Sequence, residues 1–212
     1  MDHSVTCSSG MSATRPQVVL FDLGGVLVRL AGVPAMKDLA GIDDEAEVWR
    51  RWLTCDWVRR FERGMCAGPE FAAGVVADWN LPITAAEFLK RFRMWPDGLY
   101  EGAAELVEAV GREARVGCLS NTNSIHWADQ EGWGLAGMFD FTFLSYQLGL
   151  VKPDPEIFEH VASELAIDAG RVVFLDDNAI NVDQAAALGF DAARVQGVGE
   201  ARQALTDRGL LR

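Results

Sequence analysis

Val18-Val19-Leu20-Phe21-Asp22-Leu23-Gly24-Gly25-Val26-Leu27-Val28 runs four apolar residues straight into a carboxylate, then two glycines, then apolar residues again. A short apolar run without polar alternation predicts a strand buried on both faces, as at the centre of a parallel sheet. Asp22 then stands at the carboxyl end of that strand, the edge at which open α/β sheets bind ligands. Gly24 and Gly25 let the backbone leave the strand tightly, with its amides exposed. Asp and Gly are also ordinary turn residues, so the meaning of the stretch depends on the rest of the chain.

From Leu99 onward the pattern alternates. Helical periodicity over Ala103–Glu113, near Ile125–Glu131, over Asp154–Leu165, over Asn181–Leu188 and around Glu200–Arg208 is interleaved with strand-like runs. Those runs are Val116–Ser120, Phe139–Leu144, Val172–Leu175 and Ala192–Val195. Such alternation implies βαβ units and a parallel sheet. Gly189 reads as a helix stop. Between Ala31 and Met94 the signals are helical only. Asp43-Asp44-Glu45 is acidic N-cap chemistry, and Thr84 with Glu87 forms a capping box. Five of the seven tryptophans (49, 52, 57, 79 and 95) fall in this window or directly after it. They read as the core of a small helical bundle, with one or two able to face a ligand at its rim. The expected organisation is therefore a Rossmann-like three-layer α/β/α parallel sheet from residues 15–30 and 96–212. Residues 31–95 form an inserted helical cap over its carboxyl edge, and 1–14 a disordered lead-in.

The net charge of −12 argues against nucleic acid or an anionic membrane surface as the main partner. It also requires a local cation wherever an anionic substrate binds. No apolar run approaches the length of about 18 residues that spans a bilayer, and residues 1–14 lack the basic and apolar regions of a signal peptide. The four cysteines form no Cys-x-x-Cys pair and read as reduced thiols, Cys118 as a core filler. The expected setting is cytoplasmic, as a monomer or homodimer, with a small phosphorylated molecule as ligand.

Polar residues gather at four predicted strand ends. Asp22 follows the first strand, and Ser120-Asn121-Thr122-Asn123 closes the second. Lys152-Pro153-Asp154-Pro155 comes soon after the third, and Asp176-Asp177-Asn178 follows Val172–Leu175. Each alone has a plain structural reading, as an N-cap or a solvated lysine. Together they place three carboxylates in one cleft, where mutual repulsion raises their pKa values unless a cation is present. A hard divalent ion with oxygen ligands, Mg²⁺, satisfies that demand. Lys152 adds positive charge, and Ser120 with Asn121 at a helix N-terminus makes a phosphate seat. The set is that of a phosphoryl-transfer site.

These four motifs, Phe21-Asp22-Leu23-Gly24-Gly25-Val26, Leu119-Ser120-Asn121-Thr122-Asn123, Lys152-Pro153-Asp154-Pro155 and Phe174-Leu175-Asp176-Asp177-Asn178, resemble in order and spacing those of the haloacid dehalogenase (HAD) superfamily. The chain looks most like the branch of sugar-phosphate phosphatases acting on glucose 1-phosphate, related to the phosphatase domain of soluble epoxide hydrolases. The resemblance covers roughly residues 16–200 and implies a helical cap of the C1 type. It implies Asp22 as nucleophile and metal ligand, the carbonyl of Gly24 and the Asp177 carboxylate as further ligands, and Asp176 as a ligand directly or through water. Ser120, the amide of Asn121 and Lys152 would hold the phosphoryl oxygens.

One position departs from the pattern. Most phosphatases of the superfamily carry a second Asp two residues after the nucleophile, which protonates the leaving group; here that residue is Gly24. Either the reaction is slow, or the leaving group needs little help (an anomeric oxygen qualifies), or another residue substitutes. His126, six residues past Ser120, is a candidate for that role and for substrate binding. Two other readings stay open: a metal-free 2-haloacid dehalogenase, and a catalytically weak binding domain. Among cap residues, Trp57, Arg59, Arg60 and Arg63 are candidates to face the substrate, and the cluster from Trp49 to Trp52 reads equally as an interface or a solvated face.

Overall fold

The computed structural model describes residues 15–212; the segment 1–14, expected to be disordered, lies outside them. The chain begins with β1 (Val18–Phe21), turns through Gly24 and Gly25, and continues into β2 (Val28–Leu30). Helices α1 (Gly32–Ala40), α2 (Glu45–Thr54), α3 (Asp56–Glu62), α4 (Gly68–Asp78) and α5 (Ala85–Arg93) follow, and β3 (Pro96–Leu99) returns antiparallel to β2. Then come α6 (Ala103–Gly111), β4 (Arg115–Ser120), α7 (Ser124–Glu131), β5 (Phe141–Leu144), α8 (Ser145–Leu148), α9 (Pro155–Leu165), β6 (Val172–Asp176), α10 (Ala179–Ala187), β7 (Asp191–Arg194) and α11 (Gly197–Asp207).

The main sheet is parallel, in the order β5-β4-β1-β6-β7, so the opening strand is its centre. Its residues alternate between two apolar layers. Val19 and Phe21 pack with Leu106 and Val110 of α6, Trp127 of α7 and Leu205 of α11. Val18 and Leu20 pack with Phe158 and Val161 of α9 and Ala185 of α10. A strand with helices on both faces has no polar side to show, which is why its sequence is a continuous apolar run. Cys118 is buried among the first of these layers, and the described cysteines are free thiols.

Helices α1 to α5 bury a third core of their own. Trp52 lies among the rings of Phe71, Trp79, Phe92 and Trp95, and Phe61 stacks on Phe71 with centroids 4.4 Å apart. Asp44 caps α2 by accepting from the Ala46 amide, and Thr84 accepts from the Glu87 amide, but the Glu87 carboxylate pairs with Arg91, so only half of the capping box forms. The β2–β3 ribbon is absent from the sequence reading. Pro96 opens β3, and a proline is tolerated at the first residue of a strand, so a position that suggests a loop begins a strand instead.

Two sets of ion pairs tie the helical block to helices that flank the sheet. Arg59 of α3 bonds both carboxylate oxygens of Asp154, at 2.9 and 2.8 Å, and Arg63 bonds the same group. Arg93 of α5 pairs with Asp129 of α7 at 2.8 and 3.0 Å. Close to the first tie, Gly64 has φ of +68°, and a Cβ there would stand 2.4 Å from the Tyr146 carbonyl oxygen. Only glycine lets the α3–α4 loop approach the core backbone so closely.

Candidate active site

The carboxyl ends of β1, β4 and β6, three adjacent strands, bring Asp22, Ser120 and the pair Asp176-Asp177 to one point. Lys152 reaches the same point from the loop after α8. Its ammonium donates to the Leu119 carbonyl at 2.9 Å and to Asp176 Oδ2 at 2.6 Å, and lies 2.9 Å from Asp22 Oδ1. Two of its three protons are committed to Leu119 and Asp176, and the third faces Asp22 at the cavity floor. Burial opposes the charge on Lys152, but the Asp176 and Asp22 carboxylates outweigh that and hold its pKa above the usual lysine value. The Asn121 side chain fixes the loop that carries it, donating to the Lys152 carbonyl at 2.9 Å and accepting from the Lys152 amide at 2.8 Å.

The two carboxylates of β6 differ. Asp176 is fully buried. It accepts from Lys152, from the Asn178 amide and, on both oxygens, from the Asn181 side chain. Asp177 receives no hydrogen bond from any side chain among the described residues, and Arg194 meets only its backbone carbonyl. Its carboxylate lies against the turn after β1: a Cβ on Gly25, which has φ of +74°, would stand 2.2 Å from Asp177 Oδ2. The second glycine of the opening stretch therefore makes room for an acidic side chain from β6.

Asp22, Asp176 and Asp177 each offer a carboxylate oxygen, all within 4.8 Å of one another. Burial, with the smaller repulsion of Asp176 and Asp177, outweighs the pull of Lys152 and lifts Asp22 to about 7. Burial and the Asp176 charge lift Asp177 to about 6. Three carboxylates against one ammonium leave the cluster short of positive charge.

A cavity of about 800 Å³ opens above the cluster. Asp22, Ser120, Asn121, Lys152 and Asp177 line it from the sheet, and Met36, Trp49, Trp52, Glu62 and Trp95 from the helical side. Trp49 and Arg50 of the tryptophan-arginine cluster face this cavity. The candidates Trp57, Arg59, Arg60 and Arg63 do not line it. Arg59 and Arg63 are bound to Asp154, while Arg60 stacks on Trp57 and pairs with Glu70.

His126 lies on the cavity wall, but the structure corrects its reading as a free acid or substrate ligand. Its Nε2–H donates to the Phe92 carbonyl at 2.8 Å, and Nδ1 accepts from the Asn123 side chain at 3.2 Å. The ring stacks on Phe92 at 4.2 Å. Burial lowers its pKa to about 4, so near pH 7 it is neutral with both nitrogens engaged. It joins α7 to α5. As pH falls from 6.5 towards 4 the unfolded chain takes up the proton first, so the buried neutral ring favours unfolding across that window. His126→Ala is expected to cost about 1–3 kcal/mol of stability by orphaning the Phe92 carbonyl, read as a lowered melting temperature. A changed pH profile of hydrolysis would contradict the structural role.

A family model described as haloacid dehalogenase-like hydrolase matches residues 16–189. The chain belongs to that family. In the family, D-ribitol-5-phosphate phosphatase of Bacteroides thetaiotaomicron is 25% identical over 197 residues, covering 89% of this chain and 96% of its own. Bifunctional epoxide hydrolase 2 of Rattus norvegicus is 35% identical over 71 residues, 34% of this chain and 13% of its own. A HAD family enzyme of Bacteroides thetaiotaomicron, solved in complex with magnesium and inorganic phosphate, superimposes with a TM-score of 0.67. It is 25% identical and covers 85% of this chain and 94% of its own. No helix among the described residues is long and apolar enough to cross a membrane.

Proposed function

We propose that this chain is a Mg²⁺-dependent phosphomonoester hydrolase acting on a small phosphorylated metabolite through an aspartyl-phosphate on Asp22. The observation that carries the reading is the three-carboxylate, one-ammonium cluster beside Ser120 on the floor of the cavity. A divalent cation fits it. Asp177 is free of side-chain donors, Asp22 has one oxygen unclaimed, and both titrate high without a cation. Asp22, Asp177 and the Gly24 carbonyl would hold the ion, with Asp176, already saturated by hydrogen bonds, reaching it through water. Bound there, Mg²⁺ supplies positive charge to phosphoryl oxygens and keeps Asp22 ionised.

Around that ion the chain's own groups divide the work. The Asp22 carboxylate attacks phosphorus in line with the leaving oxygen. Lys152, Ser120 and the Asn121 amide hold the phosphoryl oxygens as charge builds on them. Asp176 and Asn181 hold Lys152 in place. The relatives support this chemistry, since one is named a ribitol-phosphate phosphatase and a solved HAD enzyme holds magnesium and phosphate. Without a cation the cluster would repel a haloacid carboxylate, which disfavours the metal-free dehalogenase. A sugar phosphate such as glucose 1-phosphate is the finer reading, because an anomeric oxygen leaves more readily than a plain alkoxide and residue 24 offers no acid.

The test is phosphate release from p-nitrophenyl phosphate and a panel including glucose 1-phosphate and ribitol 5-phosphate, with Mg²⁺ and with EDTA. Release that EDTA stops and Mg²⁺ restores is expected. Release indifferent to EDTA overturns the metal role, and chloride release from a haloacid without phosphate release overturns the reaction.

A further inference from the structure

The neighbour of residue 24 on the cavity side is an apolar side chain. A Cβ built on Gly24 would lie 2.7 Å from Leu30 Cδ1, and Leu30 lines the same cavity. The β1 turn therefore offers no carboxylate, and the group beside residue 24 is an apolar side chain. The acid, if the reaction uses one, comes from another wall.

One carboxyl on the opposite wall is uncommitted. Glu62 is the last residue of α3 and lines the cavity with Asp22, Gly24, Ser120 and Lys152. Among the described residues it has no hydrogen-bond or ion-pair partner. The arginines that flank it along the helix, Arg59 and Arg63, both turn to Asp154 instead. Those ion pairs and the close approach of Gly64 to the Tyr146 carbonyl anchor the end of α3 on the core. Glu62 is thus presented to the cluster from a fixed position rather than from a loose loop.

Resting on the phosphatase reading above, we propose that Glu62 is the general acid–base of this enzyme and takes the role that Gly24 leaves vacant. In the first half-reaction an Asp22 oxygen bonds to phosphorus and the bond from phosphorus to the ester oxygen breaks. The released electron pair stays on that oxygen, which takes the Glu62 proton and departs as the alcohol. In the second, a water oxygen bonds to phosphorus and gives a proton to the Glu62 carboxylate. The bond to Asp22 breaks with its electron pair returning to the aspartate, and inorganic phosphate leaves. Burial raises Glu62 to about 7, against the pull of Lys152 and Arg59 and with the push of Asp22, the charged groups that face it. The group is thereby near half-protonated at neutral pH, the condition that serves both half-reactions.

Glu62→Gln keeps the shape and removes the exchangeable proton, and the quantity to compare is kcat/KM, which reports formation of the phosphoryl-enzyme. With a sugar phosphate whose leaving group is a plain alkoxide (ribitol 5-phosphate) and Mg²⁺, a loss of about 10²–10⁴-fold is expected. With p-nitrophenyl phosphate, whose leaving group departs without a proton, the loss is expected to stay within about fivefold. The fall in kcat/KM for the sugar phosphate above about pH 7 in the unaltered enzyme should vanish in the variant. Equal losses on both esters would make Glu62 a structural residue, and no loss on either would remove it from the reaction, while the phosphatase reading survives both results. Failure of the unaltered chain to release phosphate from any ester would overturn that reading and the Glu62 role with it.

Discussion

Asp22→Asn is expected to bring phosphate release below detection, a fall on the order of 10⁴–10⁶-fold, as loss of a nucleophile that works as one unit with its neighbours does. The amide cannot displace an ester oxygen, and no other uncommitted carboxylate stands at that spot. Asp176 is saturated by Lys152, Asn178 and Asn181. Asp177 belongs to the turn side, against Gly25. The same substitution separates loss of chemistry from loss of fold. Asp22 has a folded pKa of about 7 against an ordinary value of 3.8, because burial and two neighbouring carboxylates disfavour its charge. The folded chain therefore binds the proton more tightly than the unfolded one. Stability falls as pH rises through the window from 3.8 to 7, and the full penalty is present above it. In EDTA at pH 8 the Asn variant is expected to melt above the unaltered chain, and the gap should close as pH approaches 4. Saturating Mg²⁺ should raise the melting temperature of the unaltered chain more than that of the variant, because only the former keeps the full ligand set. A variant that keeps measurable turnover would remove Asp22 from the nucleophile role.

That site was largely legible because its parts sit at strand ends. An apolar run stopped by Asp, Ser-Asn or Asp-Asp marks both a buried strand and the polar residue at its carboxyl edge, and parallel topology gathers those edges together. So Asp22, Ser120, Lys152, Asp176 and Asp177 could be grouped from spacing before any distance was known. Residues that come from helices could not. Asn181 lies in the first turn of α10 with no local signal of a role, yet it holds both oxygens of Asp176. Ser145, fully buried, both donates to the Thr122 carbonyl and accepts from its amide, which ties the Ser120–Asn123 turn to α8. Glu62 sits in Arg59-Arg60-Phe61-Glu62-Arg63, a run in which the arginines, not the carboxylate, are the candidates to face a substrate. Its meaning depends on where α3 lands against the sheet, and that is decided by Asp154 and Gly64 at long range. His126 failed as a reading for a related reason. Its spacing from Ser120 was right for the cleft, but the carbonyl that claims it belongs to Phe92, thirty-four residues away on another helix. The β2–β3 ribbon is hidden by Pro96 and Gly98, residues that on local grounds suggest a turn.

Lys152→Met carries the largest expected cost to the fold itself. The ammonium is almost wholly enclosed, with its side chain 1% exposed, and its two carboxylate partners are 11% and 0% exposed. Removing one member of such a set leaves buried charge without compensation, which typically costs about 3–5 kcal/mol. For a chain of this size that is a fall of roughly 6–20 °C in melting temperature. Methionine matches the stem in volume, so the loss reflects charge rather than a cavity. The deficit has a direction in pH. Without the ammonium, Asp22 loses the cation that favours its ionised form, so protonating it relieves the repulsion. The variant should regain stability as pH falls from 8 towards 5, where the unaltered chain gains less. Mg²⁺ should restore part of the loss at pH 8, because an ion held by Asp22 and Asp177 supplies the missing charge, but it should not restore turnover. The phosphoryl group would still lack the contact that Lys152 makes, and Asn121 would clamp a loop that presents nothing. A Met variant that melts within about 2 °C of the unaltered chain at pH 8 would mean less than roughly 1 kcal/mol of coupling, too little for the ammonium to be what balances the cluster.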